Sequence, residues 1–382
     1  MTCRLLTDFA RKNDYPMLVV HAGKGTKTWD EGSVRLLQLK RSIASIYLDE
    51  DLAYDPLFNR YLNKVENALA EFQPDLIHIT GPNDVSIIGA YLAWKLQLPL
   101  LGSWHTNVHE FASQRLQRMF RFVPKGLLGP LTAFAERKIL QGSVLYYKMP
   151  KVVLAPNQEL IDLLGKGTHR KALFMGRGVD AELFSPAKRT VKDGVFRLGF
   201  VGRLRAEKNV RMFVDLEEEL IKKGKTNFKF LIVGEGNERE HLQRNLKNAE
   251  FTGFLSGERL AEAYANMDVF IFASETDAFG NVAQEAAASG VVPIVSDKGG
   301  PKYLVTHGET GFVAASIEEF RDRVIELMDD PEKLEAMRRQ ARISSETKSW
   351  DAIFESVYAA YNETIRLKGK KSSREKDSAK AS

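Results

Sequence analysis

The sequence contains almost no cysteine: its 382 residues include only Cys3. A single cysteine excludes an internal disulfide, so we expect a protein of a reducing compartment. The chain also has no run of about 18 apolar residues, the length that a membrane-spanning helix needs. Its first residues, MTCRLLTDFARKND, lack the apolar core of a secretory signal. These absences predict a cytoplasmic location.

What the chain does contain is typical of globular proteins, with 44% hydrophobic and 27% charged residues and enough length for two domains. Its net charge of +5 favours anionic ligands or an anionic membrane surface, and we expect no nucleic-acid partner. Residues 112–140 mix Arg and Lys with Phe, Leu and Met, as a segment at a membrane interface would, or as helices packed on a sheet would. Residues 368–382 predict a disordered basic tail.

Short apolar runs alternate with amphipathic stretches along the whole chain, which predicts an α/β fold with parallel sheets. Strands are predicted at 17–23, 75–81, 98–104, 151–156, 197–202, 229–234, 268–274 and 291–296. Helices are predicted at 57–72, 84–96, 109–141, 209–223, 236–247, 257–266, 281–289, 316–328 and 331–346. The stretch 185–194 contains Pro, Gly and charges and suggests a linker. We therefore predict two doubly wound parallel-sheet (Rossmann-like) domains, 1–188 and 193–349, followed by a helix at 350–367.

Ligands of open parallel sheets bind beyond the carboxyl ends of the strands, so the loops there are candidate sites. Gly202 ends a predicted strand, and Arg203 and Lys208 flank the turn into a helix expected to begin near Asn209. Two cations beside helix N–H groups suit a diphosphate leaving group, because they neutralise its developing charge. A solvated charged loop is the alternative interpretation.

The stretch ETDAFGNVAQEAAASG, residues 275–290, places seven residues between two carboxylates, Asp277 and Glu285. Gly280 would let the backbone approach a ligand closely, and the N–H groups at the start of the following helix would be donors. Backbone donors with two carboxylates predict a polyol-binding site, with a sugar ring on one side and a ribose on the other. The alternatives are that Asp277 caps the helix while Glu285 is exposed, or a two-carboxylate hydrolase.

Three other features carry weaker signals. GEGNERE, after residue 233, has a Gly-x-Gly turn without a third glycine, which favours a tight turn over a dinucleotide site and leaves Glu235 near the site. His105 directly follows a predicted buried strand and is placed to contact a ligand, with a structural histidine as the alternative. The acidic triplet 49–51 resembles a metal-binding motif, but no predicted strand delivers it to the site, and we interpret it as a solvated turn.

The motifs GRLRAEKN, TDAFGNVAQE, ASGVVPIVS, GGPKYLV and TGFVA resemble the retaining family-four glycosyltransferases of GT-B architecture, in which two such domains face each other across a cleft. ITGPNDVSIIGAYLA, SWHTNVHEFA and GRGVDAELFSP are most similar to the branch with sulfoquinovosyl-diacylglycerol synthase and bacterial mannosyl- and glucosyltransferases acting on glycolipids. The resemblance spans about residues 3–366. It implies transfer of a hexose from a UDP- or GDP-linked sugar to a hydroxyl acceptor such as a lipid. It implies neither metal nor other cofactor, and it allows peripheral contact with the anionic inner face of a membrane.

The family has two glutamates with seven residues between them, the first at the donor sugar and the second at the ribose. In this sequence Asp277 occupies the position of the first glutamate and Glu285 that of the second. Because the side chain of aspartate is shorter than that of glutamate, the donor sugar would be shifted. Arg203 and Lys208 would hold the diphosphate, and His105 would lie beside the sugar. The resemblance thus implies the catalytic residues His105, Arg203, Lys208 and Asp277, and the donor-binding residues Gly202, Leu255 (near the base), Phe279, Gly280, Asn281 and Glu285.

The family begins with a strand and a glycine-rich loop that have no counterpart here, because the chain begins inside what resembles the following helix. We expect a misassigned start codon or a fragment, and a first sheet without its central strand. Two alternatives stay open: a non-catalytic chain that binds nucleotide sugar through its second domain, and a GT-B sugar-nucleotide epimerase. The C-terminal helix, which in the family crosses back to the first domain, and the Asp277/Glu285 pair favour transfer.

Overall fold

The computed structural model describes residues 2–47, 53–105 and 125–380. Three predictions fall on other residues. The acidic triplet at 49–51, the loop that continues after His105, and residues 112–124 of the segment predicted to be interfacial all lie outside the described residues.

The chain forms two compact units, Met1–Met175 with Phe354–Ser382, and Gly176–Ile353. The division falls after Met175, earlier than the predicted boundary after residue 188. The last helix is Trp350–Lys380, so the tail predicted to be disordered is helical up to Lys380. Lys, Arg, Glu and Ala are common in that tail and are good helix formers, and a helix that has already formed extends easily through them.

The stretch predicted to be a linker, residues 185–194, is an ordered part of the second unit. The N–H groups of Thr190 and Val191 both donate to the side-chain oxygen of Asn266, at 2.9 Å. The guanidinium of Arg189 donates to the carboxylate of Asp268 at 2.8 Å. The linker prediction is therefore wrong, because these bonds to distant residues hold a stretch whose composition is that of a loop.

The described residues of the first unit form three separate sheets in place of the single sheet that we predicted. A three-stranded sheet has the order β1 (Met17–Gly23), β3 (Val34–Lys40) and β2 (Lys27–Glu31), with β1 parallel and β2 antiparallel to β3. Two short strands, β4 (Ile46–Tyr47) and β5 (Ala53–Tyr54), pair with each other. A parallel four-stranded sheet has the order β6 (Ile77–Ile79), β7 (Leu100–Ser103), β8 (Val152–Ala155) and β9 (Lys171–Phe174).

Strands β1 and β6 each pair with a neighbour on one side only, as far as the described ranges extend. Both nevertheless contribute to one hydrophobic cluster, in which Leu18 of β1 and Ile77 of β6 pack against buried residues that include Leu37 and Leu92. The three-stranded and the four-stranded sheet therefore share a core without a described strand between them.

The helices of the first unit cover its sheets. They are α1 (Thr2–Lys12), α2 (Leu62–Phe72), α3 (Asp84–Lys95), α4 (Lys125–Tyr146) and α5 (Gln158–Thr168). The sequence interpretation does not include α5, whose two glycines lower helix propensity. Gly167 has a packing role, because a Cβ there would lie 2.7 Å from the Cγ1 of Val144. Among the described residues, no helix combines the length and the apolar character that a bilayer crossing requires.

The second unit is built on one parallel six-stranded sheet, with the order β12-β11-β10-β13-β14-β15. The strands are β10 (Phe196–Val201), β11 (Phe228–Val233), β12 (Ala249–Gly253), β13 (Val269–Phe272), β14 (Val292–Ser296) and β15 (Phe312–Ala314). The helices are α6 (Met212–Lys222), α7 (Arg239–Asn245), α8 (Gly257–Ala265), α9 (Asn281–Ala288), α10 (Ile317–Asp329) and α11 (Pro331–Glu346). The last helix of the chain, Trp350–Lys380, is α12.

The strand order places a topological switch between β10 and β13. After β10 the chain continues to β11 on one side, and after β13 it continues to β14 on the other. Loops that leave such a switch in opposite directions open a crevice at the carboxyl ends of the strands. The loop with Arg203 and Lys208 follows β10, and the loop with Asp277 follows β13, so both candidate motifs lie at this point.

Candidate functional site

The loops after β10 and β11 lie backbone against backbone. A Cβ on Gly234 would collide with the carbonyl oxygen of Gly202, and a Cβ on Gly236 would collide with that of Leu204. The N–H of Leu204 donates to the carbonyl of Glu235 at 2.9 Å. The glycines of GEGNERE are therefore required by this close contact, in agreement with a tight turn.

The loop after β10 carries Lys208, which an ion pair holds in place. Residues Ala206–Lys208 form a 3₁₀ turn, Asn209 has a φ of +53°, and α6 begins only at Met212, later than predicted. The Nζ of Lys208 lies 2.7 and 2.6 Å from the two carboxylate oxygens of Asp277, and the two side chains are 13% and 25% exposed. Arg203, on the same loop, is exposed.

The loop after β13 is shaped by glycines. Gly280 has a φ of +93°, and a Cβ there would lie 2.6 Å from the Cγ of Pro301. A Cβ on Gly300 would collide with the carbonyl of Ala278, and the N–H of Gly300 donates to the carbonyl of Asp277 at 2.6 Å. Glycine is thus required at 280 by its backbone conformation and by the close approach of Pro301, whether or not a ligand binds at this loop.

The capping alternative for Asp277 is wrong. The N-cap of α9 is Gly280, which makes no side-chain cap hydrogen bond, and the carboxylate of Asp277 pairs with Lys208 instead. Within the described chain, the N–H groups of Gly280 and Asn281 donate to no other residue. The first turn of α9 therefore presents backbone donors a few residues after Asp277, at the carboxyl end of the sheet where the Lys208–Asp277 pair also lies.

Glu285 is largely buried, which contradicts the alternative that it is an exposed helix residue. The hydroxyl of Tyr264, which has no exposed surface, donates to Oε2 of Glu285 at 2.9 Å. Burial raises the pKa of Glu285 to about 7, and the hydrogen bond from Tyr264 acts in the opposite direction. Sequence reasoning missed Tyr264, although a tyrosine in the apolar stretch AEAYANMDVF needs a partner for its hydroxyl once it is buried.

Arg177 was also missed. It is 6% exposed, and its guanidinium carbon lies 5.9 Å from the ring centroid of Phe279, which is itself buried. The carbonyl of Arg177 accepts a hydrogen bond from the side chain of Gln284 in α9, at 2.8 Å. A buried positive charge thus adjoins the loop that carries Asp277, and the arginine within the GRGVD motif was its sequence signal.

Leu255 and His105 are the other two predicted site residues. Leu255 follows β12 and packs, partly buried, against the core of the second unit, next to Phe254, which is 78% exposed. His105 belongs to the first unit, where its Nε2 lies 2.6 Å from the Oγ of Ser103. In the part of the chain that the structure describes, no three His, Cys, Asp or Glu side chains are placed to hold a metal ion.

The sequence matches two family descriptions. Residues 6–183 match Glycosyltransferase Family 4, and residues 183–344 match Glycosyl transferases group 1. A GDP-mannose-dependent alpha-mannosyltransferase of Corynebacterium glutamicum is 31% identical over 316 residues, which cover 80% of this chain and 71% of that protein. The chain belongs to the family 4 glycosyltransferases. A protein of the same name from Mycobacterium tuberculosis is 32% identical to this glycosyltransferase and covers 78% of it, with 75% of its own length matched.

Solved structures agree with this assignment at the level of the fold. Sucrose-phosphate synthase from Thermosynechococcus elongatus superposes on this glycosyltransferase with a TM-score of 0.70 at 17% identity, over 96% of this chain and 93% of that one. Anabaena HepE in complex with UDP and glucose has a TM-score of 0.64 at 15% identity, over 94% and 95%. The predicted α/β fold of GT-B class, with two Rossmann-like domains, is confirmed.

The pKa of Glu285 leads to a prediction about stability. Because its pKa is about 7 when folded and about 4.5 as an ordinary glutamate, the folded protein retains a proton over this range that the unfolded chain loses. The free energy of unfolding therefore falls as the pH rises from about 4.5 to 7, by no more than about 3 kcal/mol. Glu285→Gln should remove this decrease, measured as the melting temperature against pH.

The control for this prediction is Glu240→Gln, which changes an exposed glutamate of the same unit that pairs with Arg244. This control should reproduce the wild-type dependence on pH. If Glu285→Gln and the wild type show the same dependence, Glu285 does not retain its proton in the folded protein.

Proposed function

We propose that this glycosyltransferase transfers mannose from GDP-mannose to a hydroxyl group of a lipid-linked acceptor, with retention of the anomeric configuration. The contact between Lys208 and Asp277 at the switch between β10 and β13 carries the proposal, because it joins a cation and a sugar-binding carboxylate where ligands of such sheets bind. The two mannosyltransferase relatives above favour GDP-mannose over other donors.

The leaving group determines the role of the cations. As the bond between the sugar C1 and the phosphate oxygen breaks, negative charge develops on the diphosphate. Lys208, held by Asp277, and the exposed Arg203 on the same loop supply positive charge for it. The N–H groups of Gly280 and Asn281 add backbone donors at a helix start, where an anion is favoured.

The carboxylates orient the donor. Both oxygens of Asp277 contact Lys208, and their remaining lone pairs accept hydrogen bonds from sugar hydroxyls. Glu285, steadied by Tyr264, accepts hydrogen bonds from the ribose hydroxyls. Leu255 would contact the base, and His105 would contact the sugar.

The transfer needs no protein nucleophile in this proposal. The acceptor oxygen attacks C1 from the face that the diphosphate leaves, and its proton passes to the departing diphosphate oxygen. Retention then follows from attack on the same face. A hydrolase is disfavoured because Asp277 is committed to Lys208, and an epimerase is disfavoured because the relatives are named as transferases.

The first test concerns the donor and the stereochemistry. We expect the protein to bind GDP more tightly than UDP in calorimetry, and to transfer mannose from GDP-mannose to a lipid extract in the presence of EDTA. The product should contain an α-linked mannose by NMR. Transfer from UDP-glucose alone would contradict the choice of donor, and a β-linked product would contradict retention.

The second test separates turnover from binding. Lys208→Ala and Arg203→Ala should lower turnover by about 100-fold or more, since their charge is needed most as the leaving group departs. The affinity for guanosine, which has no phosphate, should change by less than about threefold, or ~0.7 kcal/mol. Lys229→Ala, an exposed lysine at the amino end of β11, is the control and should keep normal turnover. Near-normal turnover in either site variant would show that the loop is a solvated surface.

A lipid acceptor requires contact with a membrane, and α3 has a suitable surface. Ile87, Tyr91 and Trp94, which are 46%, 44% and 70% exposed, recur at helical spacing on this helix. Trp and Tyr are the side chains that favour the boundary between lipid and water. With the net charge of +5, this stripe supports peripheral binding to an anionic membrane.

We expect the protein to sediment with phosphatidylglycerol vesicles at low salt, and Trp94→Ala to weaken this binding by about tenfold through loss of buried apolar area. Phe174→Ala is the matched control, because Phe174 is a 57% exposed aromatic residue on β9 of the same unit. An equal effect of the two substitutions would contradict a role for the α3 stripe. Absence of sedimentation would favour a water-soluble acceptor.

A further inference from the structure

An exposed aromatic ring and an exposed carboxylate follow neighbouring strands at the carboxyl edge of the second sheet. Phe254 directly follows β12 and is 78% exposed. Glu235 lies two residues after the end of β11, and its side chain is 52% exposed. Strands β11 and β12 are parallel neighbours, so the two loops leave the sheet side by side. This is the edge at which ligands of parallel sheets bind.

The carboxylate of Glu235 has a defined position. Its main-chain carbonyl accepts the hydrogen bond from Leu204, and the guanidinium of Arg239 donates to its carboxylate. A Cβ on Gly253 would lie 2.9 Å from Oε1 of Glu235, so this oxygen lies directly against the residue that precedes Phe254. A planar ligand that covers the exposed ring therefore comes within reach of the carboxylate.

The strand order gives the separation between these two residues and the proposed diphosphate site. β12 lies two strands away from β10, whose loop carries Lys208. Neighbouring strands are about 4.8 Å apart, so the ends of β12 and β10 are separated by about 10 Å. A ribose lies between the phosphates and the base of a nucleotide. A base whose phosphates contact Lys208 can therefore reach the loops after β11 and β12.

The hydrogen-bonding edge of guanine matches a carboxylate. Guanine presents N1–H and an exocyclic N2–H side by side, and the two oxygens of a carboxylate accept such a pair of hydrogen bonds. Uracil presents one N–H between two carbonyl oxygens, so a carboxylate oxygen would face a carbonyl oxygen and be repelled. An aromatic ring stacks on the face of any base and does not distinguish them.

We propose that Glu235 accepts hydrogen bonds from N1–H and N2–H of the guanine of the donor, and that Phe254 stacks on the guanine ring. Glu235 is then a specificity-determining residue, whereas Phe254 contributes affinity for any base. The ion pair with Arg239 orients the carboxylate for both bonds. This inference rests on the proposed GDP-linked donor, and it names the residue by which the chain distinguishes GDP from UDP.

The test uses inosine diphosphate, which is GDP without the 2-amino group. In calorimetry with the full-length protein, the wild type should bind GDP about tenfold more tightly than inosine diphosphate, because one hydrogen bond to a charged acceptor is lost. Glu235→Ala should bind these two nucleotides with equal affinity and should leave the affinity for UDP unchanged or higher. A merely structural role of Glu235 would instead weaken the binding of all three nucleotides alike.

A second variant and a control accompany this test. Glu235→Gln keeps the shape of the side chain and replaces one acceptor oxygen by a donor, so it should also lose the preference for GDP over inosine diphosphate. Glu240→Ala is the matched control, because it removes another exposed glutamate of the same α7 region that pairs with an arginine four residues later. The control should keep the wild-type affinity for each nucleotide.

The stacking contact is tested separately. Phe254→Ala should weaken the binding of GDP, inosine diphosphate and UDP by a similar factor of about tenfold, since stacking is lost for every base. Ile343→Ala is the control, because it truncates a 55% exposed apolar side chain on α11 of the same unit. This control should change none of the three affinities.

The outcomes separate this inference from the choice of donor. If the wild type prefers GDP to UDP but binds GDP and inosine diphosphate equally, or if a folded Glu235→Ala protein keeps the wild-type preference, the role of Glu235 is overturned and the GDP-linked donor stands. Tighter binding of UDP than of GDP by the wild type would contradict the donor and the guanine contact together. An effect of Phe254→Ala no larger than that of Ile343→Ala would overturn the stacking contact.

Discussion

Close contact between main-chain segments at the carboxyl edge of the second sheet is the constraint on which the site depends. Gly234 and Gly236 let the loop after β11 lie on the loop after β10, and Gly300 lets a later loop lie on the one after β13. A side chain at any of these positions would push the loops apart. Since β10 and β13 are neighbours, loops held this closely bring Lys208 and Asp277 within hydrogen-bond distance although 69 residues separate them.

The fold could be predicted from the sequence where a local pattern carries the structure. Strands β10, β11, β13 and β14 are continuous apolar runs, and each lies within about two residues of its predicted place because burial on both faces demands such runs. Strands β2 and β3 were missed because their mixed composition is stabilised by pairing with each other and, for β3, with β1. Helix α5 was missed because its glycines lower its propensity, whereas its packing compensates for this in the folded unit.

In the candidate site, too, features that are local in sequence were predicted, and contacts between residues distant in sequence were not. The motif spacing identified both loops and both carboxylates, since strand ends, glycine corners and helix starts are adjacent in sequence. The partners of those residues were not visible: Tyr264 lies 21 residues before Glu285, and Arg177 lies 107 residues before Gln284. These contacts form only when the helices pack against one another. The hydrophobic periodicity of a single segment contains no information about which residues of other segments it will contact.

The ion pair of Lys208 has a consequence for the entropy of binding. A free lysine side chain samples many rotamers, and fixing it costs up to about 2 kcal/mol. Here the ammonium group is already bound by both oxygens of Asp277 and only 13% of the side chain is exposed, so most of that freedom is lost when the protein folds. The anion that we propose for this site would therefore meet an ammonium group whose conformation is already fixed, so the loss of rotamer entropy falls on folding and not on binding.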